Sequence, residues 1–265
     1  MSNIKVYSID QLKDIFTEVK DKVNSLQMIE MVELKPFAEC TPKDIADIAR
    51  AYYNGLYTVD QIKKYWPLGA TNTIQLSAME AEYSNVAHAQ QNVQLQIIDH
   101  EKDILTTPIN GKTNAFVSIQ LKNCLTEGSF IQNNWNTSDI RQWCNTTFIN
   151  ALPSSLANSI KPVNKVSRLE DGTSVTTSDS AWLISARELI GSHEQYSIES
   201  SGITIYKYYE DPGHRDKTTP GESANYCWVT RSTGNIWYIY LFRYGSLLWN
   251  SATGLPWGLA PGFCL

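Results

Sequence analysis

The sequence is short of charge, and the charge it has is not gathered into a positive surface. Asp, Glu, Lys and Arg make up 18% of the 265 residues, below the quarter common in soluble domains. With 22 Lys+Arg against 27 Asp+Glu the formal net charge is −5. A nucleic-acid partner is not expected, because no basic stripe is available to neutralise phosphates. Long apolar runs are missing too, which excludes a transmembrane helix and gives no expectation of membrane insertion. The opening MSNIKVYSID lacks the basic and apolar regions of a Sec signal peptide, so synthesis and first folding in a cytoplasm are expected. No CxxC occurs. Cys40, Cys124, Cys144, Cys227 and Cys264 are dispersed and read as buried free thiols, with a Cys227–Cys264 disulfide left open. His88, His100, His193 and His214 lie far apart, so no metal site is expected.

Aromatic residues are abundant. The chain holds 8 Trp and 14 Tyr, and 42% of it is hydrophobic, which argues against disorder. The length suits one large domain, or one domain with an appendage. Ile9, Leu12, Phe16, Val19, Val23 and Leu26 recur at alternating spacings of three and four, a heptad seam. The spacing predicts a helix over 9–26, either docked on its own domain or joining copies into a homo-oligomer. Thr41-Pro42 opens a second helix, with Ile45, Ile48, Ala49 and Tyr52 as its apolar face and Gly55 as its end. Thr58 opens a third, stopped by Trp66-Pro67. Residues 1–68 are therefore predicted as an N-terminal helical segment, and 69–265 as the main domain.

Alternation of apolar and polar residues predicts strands at 73–76, 93–98 and 115–121. Ser138 caps a predicted helix over 139–148, Pro153 to Ile160 gives a further short helix, and Trp182-Leu183-Ile184 a short strand. Residues 190–225 show no strong periodicity and read as a long loop-dominated stretch.

From Asn225 to Leu265 there is no Asp, Glu or Lys, and Arg231 and Arg243 are the only charges. Alternation through 236–244 puts Ile239 and Leu241 on one face, read as core. Tyr238, Tyr240, Phe242 and Tyr244 fall on the other, read as a wet binding surface because hydroxylated aromatics suit one. Gly245 breaks the strand. The stretch 246–257 is then rich in Ser, Gly, Asn and Thr but studded with Leu and Trp. Exposed apolar side chains in such a segment mark an interaction site, unless a neighbouring loop or the helical segment covers them. The candidate ligand-binding residues are Tyr238, Tyr240, Phe242, Arg243, Tyr244, Leu247, Leu248, Trp249, Asn250, Thr253, Leu255 and Trp257.

Four pieces occur in order: Trp135-Asn136-Thr137-Ser138-Asp139-Ile140-Arg141-Gln142-Trp143, Asp179 with Trp182-Leu183-Ile184-Ser185, Trp228-Val229-Thr230-Arg231-Ser232, and the terminal Gly258-Leu259-Ala260-Pro261-Gly262-Phe263-Cys264-Leu265. Over roughly residues 40–265 the chain resembles C-type-lectin-fold proteins of gut bacteria and their phages. The resemblance implies an α+β C-type-lectin (formylglycine-generating-enzyme-like) fold behind the N-terminal helical segment. Some members are variable proteins of diversity-generating retroelements, in which the segment before a fixed C-terminal tail is mutated and displays the ligand-binding surface. Residues 235–257 sit where that variable region would sit.

The Glu-Pro-Asn, Gln-Pro-Asp and Trp-Asn-Asp triplets of calcium-dependent sugar binders are absent, as is the iron triad of fold-sharing oxidases. No Gly-x-Ser-x-Gly elbow, P-loop or GxGxxG occurs. Gly213-His214-Arg215-Asp216 puts a His close to an Asp in sequence, but in a proline-bracketed loop where neighbouring residues point apart. Catalytic residues and cofactors are not expected. The reading is a non-enzymatic binding protein of a phage tail or bacterial surface, with a protein or glycan ligand on a host or neighbouring cell. A structural virion protein with a buried C-terminal interface, and a fold-sharing oxidase, are the alternatives.

Overall fold

The protein is described from a computed structural model. It covers residues 7–27, 32–82, 87–128, 134–169, 171–191, 202–218, 228–235, 238–243, 246–251 and 257–265. For 21–27, 126–128, 233–235, 238–243, 249–251 and 257 the backbone alone is described. The chain divides into two compact units, residues 1–33 and 34–265. The break falls earlier than residue 68, because the second and third helices pack into the larger unit.

In the first unit α1 spans Ile9–Gln27. Its seam residues Ile9, Leu12, Phe16 and Val19 are exposed. No helix among the described residues is long and apolar enough to cross a membrane.

The larger unit is mixed α+β. Its helices are α2 (Pro42–Tyr53), α3 (Val59–Lys63), α4 (Asp139–Trp143), α5 (Ile149–Ala151), α6 (Ser154–Ala157) and α7 (Ala186–Ile190), with a π turn joining α4 to α5. Its strands are β1 (Thr71–Leu76), β2 (Gln91–His100), β3 (Ile104–Ile109), β4 (Lys112–Asn114), β5 (Val117–Leu121), β6 (Leu125–Gly128) and β7 (Val163–Arg168). They continue through β8 (Ser174–Asp179), β9 (Ala181–Trp182), β10 (Trp228–Asn235), β11 (Tyr238–Arg243), β12 (Ser246–Ser251), β13 (Trp257–Leu259) and β14 (Gly262–Cys264). Among the described residues the strands form three sheets, ordered β1-β2-β5-β14-β9, β12-β11-β10-β13-β6 and β4-β3-β7-β8.

Local chemistry explains the helix starts. Thr41, Thr58 and Ser185 each close a capping box, with Asp44, Gln61 and Glu188 reaching back. Such boxes satisfy amides a helix start leaves open. The apolar face of α2 is buried as its spacing predicts, and Tyr52 stacks on Phe116 with ring centroids 4.7 Å apart.

The C-terminal tail completes the first sheet. Strand β14 lies between β5 and β9, with Phe263 opposite Ile119 and Ala181. Gly262 is required there, since a Cβ would stand 2.6 Å from the Trp182 ring and 3.0 Å from the Ile119 carbonyl. Gly262→Ala is expected to cost about 1–3 kcal/mol by overpacking, read as a lower urea midpoint with an unchanged slope.

The β3–β4 and β7–β8 hairpins were not predicted. In β7 the buried positions are Val163, Lys165 and Ser167, so polar residues face inward and hide the alternation.

Buried His100, on β2, has no hydrogen-bond partner at Nε2. Burial, helped by Lys63, pushes its pKa from 6.5 down to about 4. The folded state therefore disfavours the proton that the unfolded chain accepts. Its contribution is intact above pH 6.5 and is lost as pH falls towards 4, by about 3 kcal/mol at most. Denaturation midpoints across that window should fall more steeply for the natural chain than for His100→Phe.

Candidate functional site

Two arrangements concentrate the chemistry: a buried ionic cluster and the sheet it anchors. Arg231 of β10 donates through both terminal nitrogens to Glu188 of α7. Lys165 of β7 donates to Glu188 at 3.3 Å, and also to Asp103 and to the Tyr206 hydroxyl. Asp103 accepts from the Tyr206 hydroxyl at 2.9 Å, from Ser118 and from the Cys264 thiol at 3.2 Å. The Lys165 ammonium sits 3.7 Å from the Trp182 ring centroid. None of these side chains is exposed beyond the 6% of Asp103.

The cluster sets two cations against two carboxylates, the pairing a buried charge needs. Burial alone would raise the Glu188 carboxyl, but Arg231 and Lys165 hold it well below the usual carboxylate range. Burial and then Asp103 push the Tyr206 hydroxyl and the Cys264 thiol far up. Cys264 is a free, protonated thiol. Cys227 itself lies outside the described residues. Cys40, Cys124 and Cys144 are also free and buried.

The sequence motifs serve the frame. Asp179 accepts from the Trp135 indole at 2.8 Å, from Arg141 at 2.6 Å and from Thr177 at 2.7 Å. The Asn145 side chain accepts from the amides of Ser180 and Ala181. Ser232 accepts from the Ala186 amide at 2.7 Å. Asp179 thus ties β8 to α4, and Arg231 and Ser232 tie β10 to α7.

Strand β10 then carries the second sheet outwards. Tyr238, Tyr240, Phe242 and Arg243 lie on β11, Leu247, Leu248, Trp249 and Asn250 on β12, and Trp257 on β13. Tyr244, Thr253 and Leu255 lie outside the described residues. The hairpin register sets Tyr238 opposite Ser251, Tyr240 opposite Trp249, Leu241 opposite Leu248, Phe242 opposite Leu247 and Arg243 opposite Ser246. Strand β12 forms one edge of the sheet.

Register and burial together separate the two sides of β12. Directly opposed residues in an antiparallel pair belong to the same face. Phe242 stands between Trp228 and Leu247, which are 0% and 6% exposed. Leu241 stands between Val229, which is buried, and Leu248, which is 42% exposed. Ser246, opposite Arg243, is exposed as well. On β12 the open positions Ser246 and Leu248 are thus in register with Arg243 and Leu241, and the buried Leu247 with Phe242. Leu247 is corrected from a displayed contact to a packed one. Sequence could not settle this, because both faces of β11 carry large apolar residues and the side chosen depends on what covers β10.

Comparison with known proteins gives one family, described as a domain of unknown function (DUF6273), matching residues 114–265. That span takes in α4 to α7, every strand from β5 onwards and all the candidate contact residues. No curated protein and no solved structure matches the chain.

Proposed function

We propose a binding function for this chain, which belongs to the DUF6273 family. It is a non-enzymatic ligand- or receptor-binding protein that presents the β11–β12 hairpin on a C-type-lectin fold. The ligand is a protein or glycan on a host or neighbouring cell, met from a phage tail or a bacterial surface.

The observation that carries this reading is the contrast between the roots of the sheet and its edge. Strand β10 is held by a bidentate Arg231–Glu188 pair and carries buried Trp228 and Val229. Strand β12, two strands away, exposes Leu248. Its hairpin has no acidic residue and no lysine. A rigid base under a substitutable edge lets contact residues change while the fold persists. Large apolar and aromatic residues then supply contact area, and Arg243 directed hydrogen bonds.

Two experiments test the reading. Fluorescently labelled protein is applied to a glycan array and to a panel of bacterial cells. Saturable binding to a member of either set is expected, and binding to none contradicts the proposal. Sequencing the DNA around the coding region tests the diversification. A reverse-transcriptase gene and an adenine-directed near-copy of the segment encoding 235–257 are expected. Their absence removes the diversified reading and leaves a fixed binder.

A further inference from the structure

We infer that the larger unit has a second ligand site, far in sequence from the display hairpin, that takes a small hydroxylated carboxylate of the uronic-acid class. A cavity of about 290 Å³ lies between α2, the β3–β4 turn and the segment following α6. It is at the lower end of the size that holds small molecules, which suits a single sugar ring.

Its walls carry charge and amides together. Lys161 lines it, and Arg50, Asn54, Asn110 and Asn158 surround it. Among the described residues no carboxylate forms an ion pair with Lys161, which meets the Tyr53 ring 5.9 Å from its centroid. Burial lowers the Lys161 pKa without any compensating anion. A half-buried cation lacking an anion is a place where a carboxylate gains more than it would in water. Arg50 is held 2.7 Å from Asp47. That neighbouring negative charge favours a single carboxylate over a phosphate dianion.

The amides supply the rest of the specificity. A side-chain amide both donates and accepts, which is what vicinal hydroxyls require. The Asn110 amide nitrogen is already fixed on the Tyr53 carbonyl at 3.2 Å. Its backbone is left-handed, with φ of 48° ahead of Gly111 at 79°, as a two-residue Asn-Gly hairpin turn demands. The turn is thus locked onto α2 before any ligand arrives, so little ordering remains to be done on binding.

The probe is sodium glucuronate, titrated by saturation-transfer NMR beside glucose, acetate and inorganic phosphate. Glucuronate is expected to saturate the protein, with each of the other three weaker by about tenfold or more, the value of one charge-assisted contact. Lys161→Met should weaken glucuronate by about tenfold with an unchanged melting temperature. Asn158→Asp, at an exposed helix end, should weaken it too by placing a like charge in the cavity, and serves if Lys161→Met does not fold. The inference is overturned if glucuronate binds no better than glucose, acetate or phosphate. It is also overturned if a folded Lys161→Met or Asn158→Asp binds glucuronate as the natural chain does.

Discussion

Glu188→Ala is expected to destabilise the protein by about 3–5 kcal/mol, the cost of leaving a buried charge without its partner. The change strips Arg231 of both contacts to the Glu188 carboxylate and removes one of the two carboxylates that Lys165 meets. Bulk solvent does not reach either cation, since Arg231 is 1% exposed and Lys165 1% exposed. A typical domain has only about 5–15 kcal/mol of stability in total, so the variant should unfold at much lower urea, with β10 released first. The carboxyl also closes the α7 capping box, so part of the loss is a lost cap, about 1 kcal/mol. Urea denaturation at neutral pH measures the sum. A loss below about 1 kcal/mol, usual for surface changes, would mean the cluster is hydrated and does not anchor the sheet.

Phe242→Ala should cost about 3–5 kcal/mol by opening a cavity. The register holds this position between Trp228 and Leu247, and both are buried. Leu248→Ala should cost under about 1 kcal/mol, as exposed positions do. Leu241→Ala should fall between them, at about 1–2 kcal/mol, because one neighbour is buried and the other open. Equilibrium denaturation of the three variants ranks them. The alternation in the sequence favours the opposite order, with Leu241 as core and the aromatic side outward. If Leu241→Ala proves the costliest, the sequence reading of the faces stands and the register argument fails.

What could be read from the sequence follows a physical division. The α2 and α3 starts were legible because a capping residue and its reach-back partner lie three apart in the chain. Strands β1, β2 and β5 were legible because their alternation is apolar against polar. Strand β7 was not, because its inward face carries Ser167 and Lys165, and the Lys165 partners Asp103 and Glu188 come from distant segments. Arg231 could be seen as a rare charge in an uncharged tail, but its role could not, since its partner lies 43 residues away. The hairpin could be recognised as unusual from composition. Which of its faces is open could not, because Leu247 and Leu248 are adjacent and identical, and only packing separates the buried one from the exposed one.

The most direct test of the display surface joins binding to stability in Leu248→Asp, against whichever cell or glycan the labelled natural chain recognises. The account expects binding to fall by about tenfold or more, the loss of a 1.4 kcal/mol contact, while the melting temperature stays within about 2 °C. Full binding by a folded Leu248→Asp would contradict the account, as would a loss of stability equal to that of Phe242→Ala.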